Sequence, residues 1–194
     1  MLAKLRSTNM VRNILIWPDP LLKKPSLPVK KVDDGIRRLL DDMTETMYAA
    51  DGLGLAAPQI GVLKRCLVID TSTRQEGQQI IHLVNPVIVR SEGETVYTEG
   101  CLSVPGEAED VDRFAKVWVQ GLDYSGKPLE IEAADLLAIA LQHEHDHLEG
   151  TLFVDHLSSL KRELIRRRMK KLKADRASET PDEVRKAPEH RSAL

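Results

Sequence analysis

Apolar positions first repeat with a period near 3.6 between Ile36 and Met47, where Ile36, Leu39, Leu40, Met43 and Met47 fall on one side of a helix. Asp33 or Asp34 stands where a cap is wanted, and Gly52 and Gly54 close the run. Before it, the apolar stretch Ile14-Leu15-Ile16-Trp17 stops at Pro18-Asp19-Pro20, and Pro25 and Pro28 follow, so this opening segment reads as wrapped and rich in turns. The middle of the chain changes period. Cys66 to Asp70 and Gln79 to Arg90 are β-rich, with Asn85-Pro86 breaking the second run. Val117 and Val119 alternate with polar neighbours, as do Leu129 and Ile131 beyond Asp123-Tyr124-Ser125-Gly126, which predicts a hairpin with a loop of four or five residues. Helical spacing returns from Glu132 to Glu149, closed by Gly150, and again from about Ser158 to Ala174, with Leu160, Leu164, Ile165, Met169 and Leu172 on one side. Strands in the middle with helices toward the ends give α+β, with antiparallel sheets packed around a central helix and a further C-terminal helix.

At 194 residues the chain is long enough for one domain with a substantial core. Residues 1–9 read as an extension, because patterning begins just after Met10, and 177–194 as a polar tail without structure, which leaves 10–176 as the folded unit. The two cysteines, Cys66 and Cys101, do not make a disulfide framework. Neither a membrane span nor a signal peptide is visible, which points to the cytoplasm. A net charge of -2 argues against DNA or anionic lipid as the main partner. The charge is nevertheless segregated: His156 to Arg176 holds nine Lys/Arg and two Asp/Glu, a local +7 that leaves -9 on the remainder. The basic segment is either a solvated face or a contact for RNA phosphates. It has no aromatic residue with which to stack on bases.

The strongest chemistry lies in Gln142-His143-Glu144-His145-Asp146-His147. His143 and His147 are one helical turn apart and project from the face that Leu136, Ile139 and Ala140 continue, so both imidazoles can bind one transition metal with Glu144 beside it. A catalytic site wants a third protein ligand and an open position. His156 lies beyond the helix end. Cys101, in the turn Glu99-Gly100-Cys101-Leu102-Ser103, is the better donor, although a lone cysteine is also an ordinary small core residue. Glu99, Arg113 and Asp146 flank these motifs and either orient the ligands or are surface charges. His145 points away from the ligand face and is expected to be exposed.

Three segments in order, Gly52-Leu53-Gly54-Leu55-Ala56-Ala57-Pro58-Gln59, Glu99-Gly100-Cys101-Leu102-Ser103 and Gln142 to His147, resemble the three-motif signature of peptide deformylases, and Trp17-Pro18-Asp19-Pro20-Leu21 is similar to that family's opening. The resemblance runs from about Asn13 to Lys173. It implies a metal-dependent amide hydrolase that removes the formyl group from the N-terminal methionine of new proteins. It further implies that Cys101, His143 and His147 hold the metal with water at the fourth position, and that Glu144 is general base and then acid. Gln59 and the backbone N–H of Leu102 would stabilise the oxyanion. Leu53, Tyr97, Leu136, Ile139 and Ala140 would form the methionine pocket, and an extended peptide would pair with backbone near Gly52 and Gly54, glycines also expected to permit positive φ and close backbone approach. The metal is usually Fe(II) in this family, with Zn(II), Ni(II) or Co(II) able to replace it. Formyl-methionyl nascent chains are the implied partners, with the ribosome near its exit tunnel contacted through the basic helix 158–174. One departure stands out: many relatives carry an Arg between Gly106 and Asp110, where this chain reads Gly-Glu-Ala-Glu-Asp. Two other readings keep part of the pattern. A zinc endopeptidase would not need Cys101, and an RNA-associated module with a structural metal would need a fourth protein ligand.

Overall fold

The computed structural model describes residues 10–73 and 78–178; the expectations for 1–9 and for the tail from 179 onward lie outside the described residues. Helix α1 (Asp34–Ala49) starts where the Asp33 carboxylate accepts from Ile36 N at 2.9 Å, and it buries Ile36, Leu39, Leu40, Met43 and Met47. Its end differs from expectation. Asp51 takes the left-handed conformation (φ 52°), and Gly52 N reaches back to Met47 O, so the glycines lie just past the stop rather than making it.

Strands β1 (Gly54–Ala56), β2 (Cys66–Ile69), β3 (Ile81–Glu92), β6 (Lys116–Leu122) and β7 (Pro128–Ala134) form one antiparallel sheet in the order β1-β2-β3-β6-β7, and β4 (Thr95–Gly100) pairs with β5 (Ala108–Arg113) in a second. Leu55, Cys66, Val68 and Val84 pack with α1, whereas Ala56, Leu67, Ile69 and Leu83 pack with helix α2 (Asp135–Leu148). Alternate residues thus face opposite helices. This is why β2 reads as an unbroken apolar run: it is buried on both faces.

Asn85-Pro86 does not break β3. Asn85 has φ 53°, its amide exchanges two 2.8 Å hydrogen bonds with the backbone of Val29, and the register to β6 shifts between Val84 and Val87, so the strand passes through a bulge. The β6–β7 hairpin forms with Leu122 opposite Pro128 and Gly126 at φ 84°. Helix α2 begins three residues later than its periodicity suggests, because Glu132, Ala133 and Ala134 pair with β6.

The last helix, α3 (Ser159–Ser178), buries Ile165 and Met169 in a cluster with Trp17, Leu22, Cys101 and Phe153. Its apolar face is narrower than the periodicity suggests: Leu160 is 70 % exposed and Leu164 45 %. The acidic strand β5 escaped the hydrophobic pattern; it and the acidic residues near it face the basic helix. Arg168 forms a paired contact with Glu107 at 2.5 and 2.6 Å, Lys161 meets Glu109 at 2.6 Å, and Lys173 meets Asp19 at 3.4 Å. The basic helix is clasped by the acidic body. Among the described residues no helix is long and apolar enough to cross a membrane.

Candidate metal centre

Three elements converge on one point. Strand β4 ends at Gly100 and delivers Cys101; helix α2 delivers His143, Glu144 and His147; and the 3-10 turn Ala57–Ile60 after β1 delivers Gln59. The opening segment staples two of these turns together, since Leu15 N donates to Gln59 O at 2.7 Å and Trp17 N to Ser103 O at 2.9 Å.

One ligand-competent atom from each of Cys101, His143 and His147 lies within 4.8 Å of the others, and Cys101 Sγ is 3.2 Å from His147 Nε2. Cys101 and His147 are buried and His143 nearly so. His143 Nδ1 faces Glu99 Oε2 at 2.8 Å, which fixes the ring and turns its other nitrogen inward. Burial holds His147 well below the ordinary histidine range, in the neutral form a cation requires. Burial opposes a charge on His143 too, yet the neighbouring Cys101 and Glu99 push it well above that range. A place that draws positive charge between a thiol and two imidazoles fits a divalent transition metal, and the soft sulfur suits Fe(II), Zn(II), Co(II) or Ni(II).

Beside these groups Glu144 is buried. Burial raises its carboxyl to about 7, and its Oε2 has no hydrogen-bond partner among the described residues. Its position depends on Gly54: a Cβ there would lie 2.5 Å from Glu144 Oε1. At Gly52 a Cβ would come 2.7 Å from the Leu102 side chain. Both glycines therefore serve close approach; neither has the positive φ expected of it. Gln59 is buried, its Oε1 accepts from Ala56 N at 2.7 Å, and its Nε2 is turned toward Cys101 Sγ (3.6 Å) and Ser103 Oγ (3.4 Å).

Leu53, Gly54, Tyr97, Leu102, Leu136, Ile139 and Ala140 line an open pocket that also reaches Gln59, Cys101, His143 and Glu144. On its far side Arg113 bridges two carboxylates, Glu99 at 2.6 and 3.0 Å and Asp146 at 2.7 Å. All the residues singled out from the sequence are thus brought to one locality. His145 differs from expectation: it is half-buried, 3.3 Å from an Arg65 nitrogen and 3.7 Å from Glu149. Sequence reasoning passed over three residues. Ser103 completes the Gln59 contacts, and His156 Nε2 meets Asp146 Oδ2 at 2.8 Å. Gln142 binds both the N–H and the C=O of Phe114 at 2.9 Å and so anchors the end of β5, next to Arg113, on α2. A glutamine in an otherwise apolar helix stripe was the available signal for the last of these.

Residues 11–163 match the family model described as polypeptide deformylase. A peptide deformylase from Thermodesulfovibrio yellowstonii is 53% identical over 154 residues, covering 79% of this chain and 93% of that protein. One from Alkalilimnicola ehrlichii is 51% identical over 162 residues, covering 84% and 90%. The crystal structure of a peptide deformylase from Legionella pneumophila superposes with a TM-score of 0.82 at 49% identity, covering 88% of this chain and 99% of that one. That of the Ehrlichia chaffeensis enzyme in complex with actinonin gives 0.80 at 42% identity, covering 88% and 99%.

Proposed function

The chain belongs to the polypeptide deformylase family, and from that premise we propose how its residues divide the work of removing the N-formyl group from the N-terminal methionine of new proteins. The observation that carries the division is the convergence of Cys101, His143 and His147 beside a pocket that also holds Glu144 and Gln59. In this reading Cys101, His143 and His147 hold the metal. When bound, such a cation supplies Lewis acidity that brings the ionisation of water from about 15.7 toward ~7. Fe(II) is the proposed cellular metal, with Zn(II), Ni(II) or Co(II) replacing it in preparations.

Glu144 takes the proton of the attacking water. With its carboxyl near 7, it can hold that proton and return it to the leaving amine at neutral pH. As the formyl carbon becomes tetrahedral, its oxygen gains negative charge, and Gln59 Nε2 and the Leu102 N–H donate to it. Collapse gives formate and a free amino terminus. Leu53, Tyr97, Leu136, Ile139 and Ala140 form the apolar wall for the methionine side chain, which is flexible and polarisable. The peptide beyond it lies along Gly52 and Gly54, whose lack of side chains leaves the backbone accessible. Glu99, Arg113 and Asp146 orient the His143 ring from behind.

The protein is proposed to act in the cytoplasm on chains leaving the ribosome, with α3 as the contact for ribosomal RNA. With Lys161, Arg162, Arg166, Arg167, Arg168 and Lys173 each drawn to a carboxylate, exposed Lys170 and Lys171 are the cations best placed to meet phosphates. Because Ile165 and Met169 pack near Cys101, charge reversal at those lysines tests the contact more cleanly than removing the helix.

The reaction is tested by giving anaerobically prepared, iron-loaded protein a formyl-Met peptide and measuring formate. Formate should appear in step with free amine, and unblocked peptides should remain uncut. No formate from protein of confirmed metal content would overturn the reading. Cys101→Ser should lose both metal and turnover; Glu144→Ala should lose turnover alone.

A further inference from the structure

His156 is the last residue of the 3-10 turn Phe153–His156, outside the pocket, and its side chain is 37 % exposed. It is not an isolated surface group. Its Nε2 lies 2.8 Å from Asp146 Oδ2, and the same oxygen accepts from Arg113 Nη1 at 2.7 Å. Arg113 donates through Nε and Nη2 to the two oxygens of Glu99, whose Oε2 meets His143 Nδ1 at 2.8 Å. Five side chains thus run in hydrogen-bonded sequence from the surface to a metal ligand, with the Arg113 guanidinium set between two carboxylates. The inner part is rigid: Arg113 and Glu99 are buried, and a guanidinium shared between two carboxylates has little freedom to rotate. Asp146 is the less constrained member, since 22 % of its side chain is exposed and water can compete for its oxygens. A donor that pins Asp146 from the solvent side therefore decides how firmly Arg113 is shared, and through Arg113 and Glu99 how firmly the His143 ring is held.

We propose that His156 is a positioning residue for the metal centre, acting through the Asp146–Arg113–Glu99 row to hold His143 in its ligating orientation. The proposal rests on Cys101, His143 and His147 being the metal ligands. The neighbouring charges do not supply an alternative clamp. Asp155 is engaged by Lys23 at 2.5 Å and by the backbone N–H of Leu152, and Lys161 is drawn to Glu109. Partners behind a metal-bound histidine typically change affinity by about 10- to 100-fold when removed. His156 stands three links further out, so a smaller effect of about 5- to 20-fold follows.

The test is a Co(II) titration of the full chain against a competing chelator, with the thiolate-to-cobalt absorption band recorded alongside. His156→Ala should bind Co(II) about 5- to 20-fold more weakly, and its band should shift or broaden. His156→Gln, which keeps a donor able to reach Asp146, should recover most of both. Equal affinity and an unchanged band in His156→Ala would overturn the proposal, as would equal weakening in the Ala and Gln variants, since the hydrogen bond would then be irrelevant. If the Ala variant does not fold, His156→Leu against His156→Gln asks the same question. A wild-type protein with no thiolate band overturns the three-ligand reading itself, whereas a normal wild type with an indifferent His156→Ala overturns the positioning role alone.

Discussion

At the scale of single residues, function here depends as much on missing atoms as on present ones. Gly54 lets the Glu144 carboxylate sit where a side chain would otherwise intrude. Gly54→Ala should therefore lower kcat by about 10²-fold, because a displacement near 1 Å of a catalytic group has that effect, while metal content stays unchanged. Steady-state kinetics with metal analysis checks this, and an alanine variant with normal kcat would show that Glu144 tolerates the shift. The convergence of Cys101, His143 and His147 was legible because imidazoles one helical turn apart and a cysteine in a glycine turn carry their chemistry in their identity. The glycines were legible as a motif, with two reasons left side by side, of which close approach holds and positive φ does not. Positive φ and close approach leave the same residue in a sequence, and only the location of the Glu144 and Leu102 side chains separates them. His156 was invisible for a related cause: its partner Asp146 is ten positions away across a turn, and no spacing rule joins them.

At the scale of elements, periodicity located the helices but overstated what α3 buries. Leu160 and Leu164 satisfy the helical pattern of α3 yet face solvent, because the helix lies against the body along Ile165 and Met169 and is steered by ion pairs at Lys161 and Arg168. Met169→Ala should therefore destabilise the fold by about 2–5 kcal/mol, as expected for a buried methionine. Leu160→Ala should stay within about 0.5 kcal/mol of the parent. Urea unfolding of the two variants distinguishes this arrangement from one in which the whole apolar stripe is buried, where both would be costly. Strand β5 was not legible, since a hydrophobic pattern does not flag a strand of Ala-Glu-Asp-Val-Asp-Arg, in which Glu109 is matched by Lys161 of a helix some fifty residues later and Asp110 by Thr98 of the neighbouring strand. The strand bulge at Asn85 was misread for a local reason: an Asn-Pro pair stops a strand by its own chemistry, and here the amide's bonds to Val29 carry the chain through.

At the scale of the whole molecule, the segregation of charge that reads from the sequence as a basic end on an acidic body becomes a set of contacts that hold the C-terminal helix against the cluster containing Trp17 and Cys101. A second global property follows from burial. His82 is held below the ordinary histidine value near 6.5 by burial, with Asp41 opposing only in part, and its Nε2 lies 3.1 Å from Thr44 Oγ1. The unfolded chain takes up a proton there before the folded one does, so this contribution to stability is complete above 6.5 and is lost as the pH falls through the lower folded value. The melting temperature of the metal-free protein should fall between pH 7 and lower pH, and His82→Gln should flatten that part of the profile. An unaltered slope in the variant would assign the acid sensitivity elsewhere.

The central claim is that Cys101, His143 and His147 close around one cation and leave room for water. X-ray absorption at the zinc edge of stoichiometrically loaded protein tests it most directly. The account predicts one sulfur near ~2.3 Å and two imidazole nitrogens near ~2.0–2.1 Å, with the coordination completed by a light atom that changes when an inhibitor or product occupies the pocket. A shell without sulfur, or one filled by four protein ligands, would contradict it.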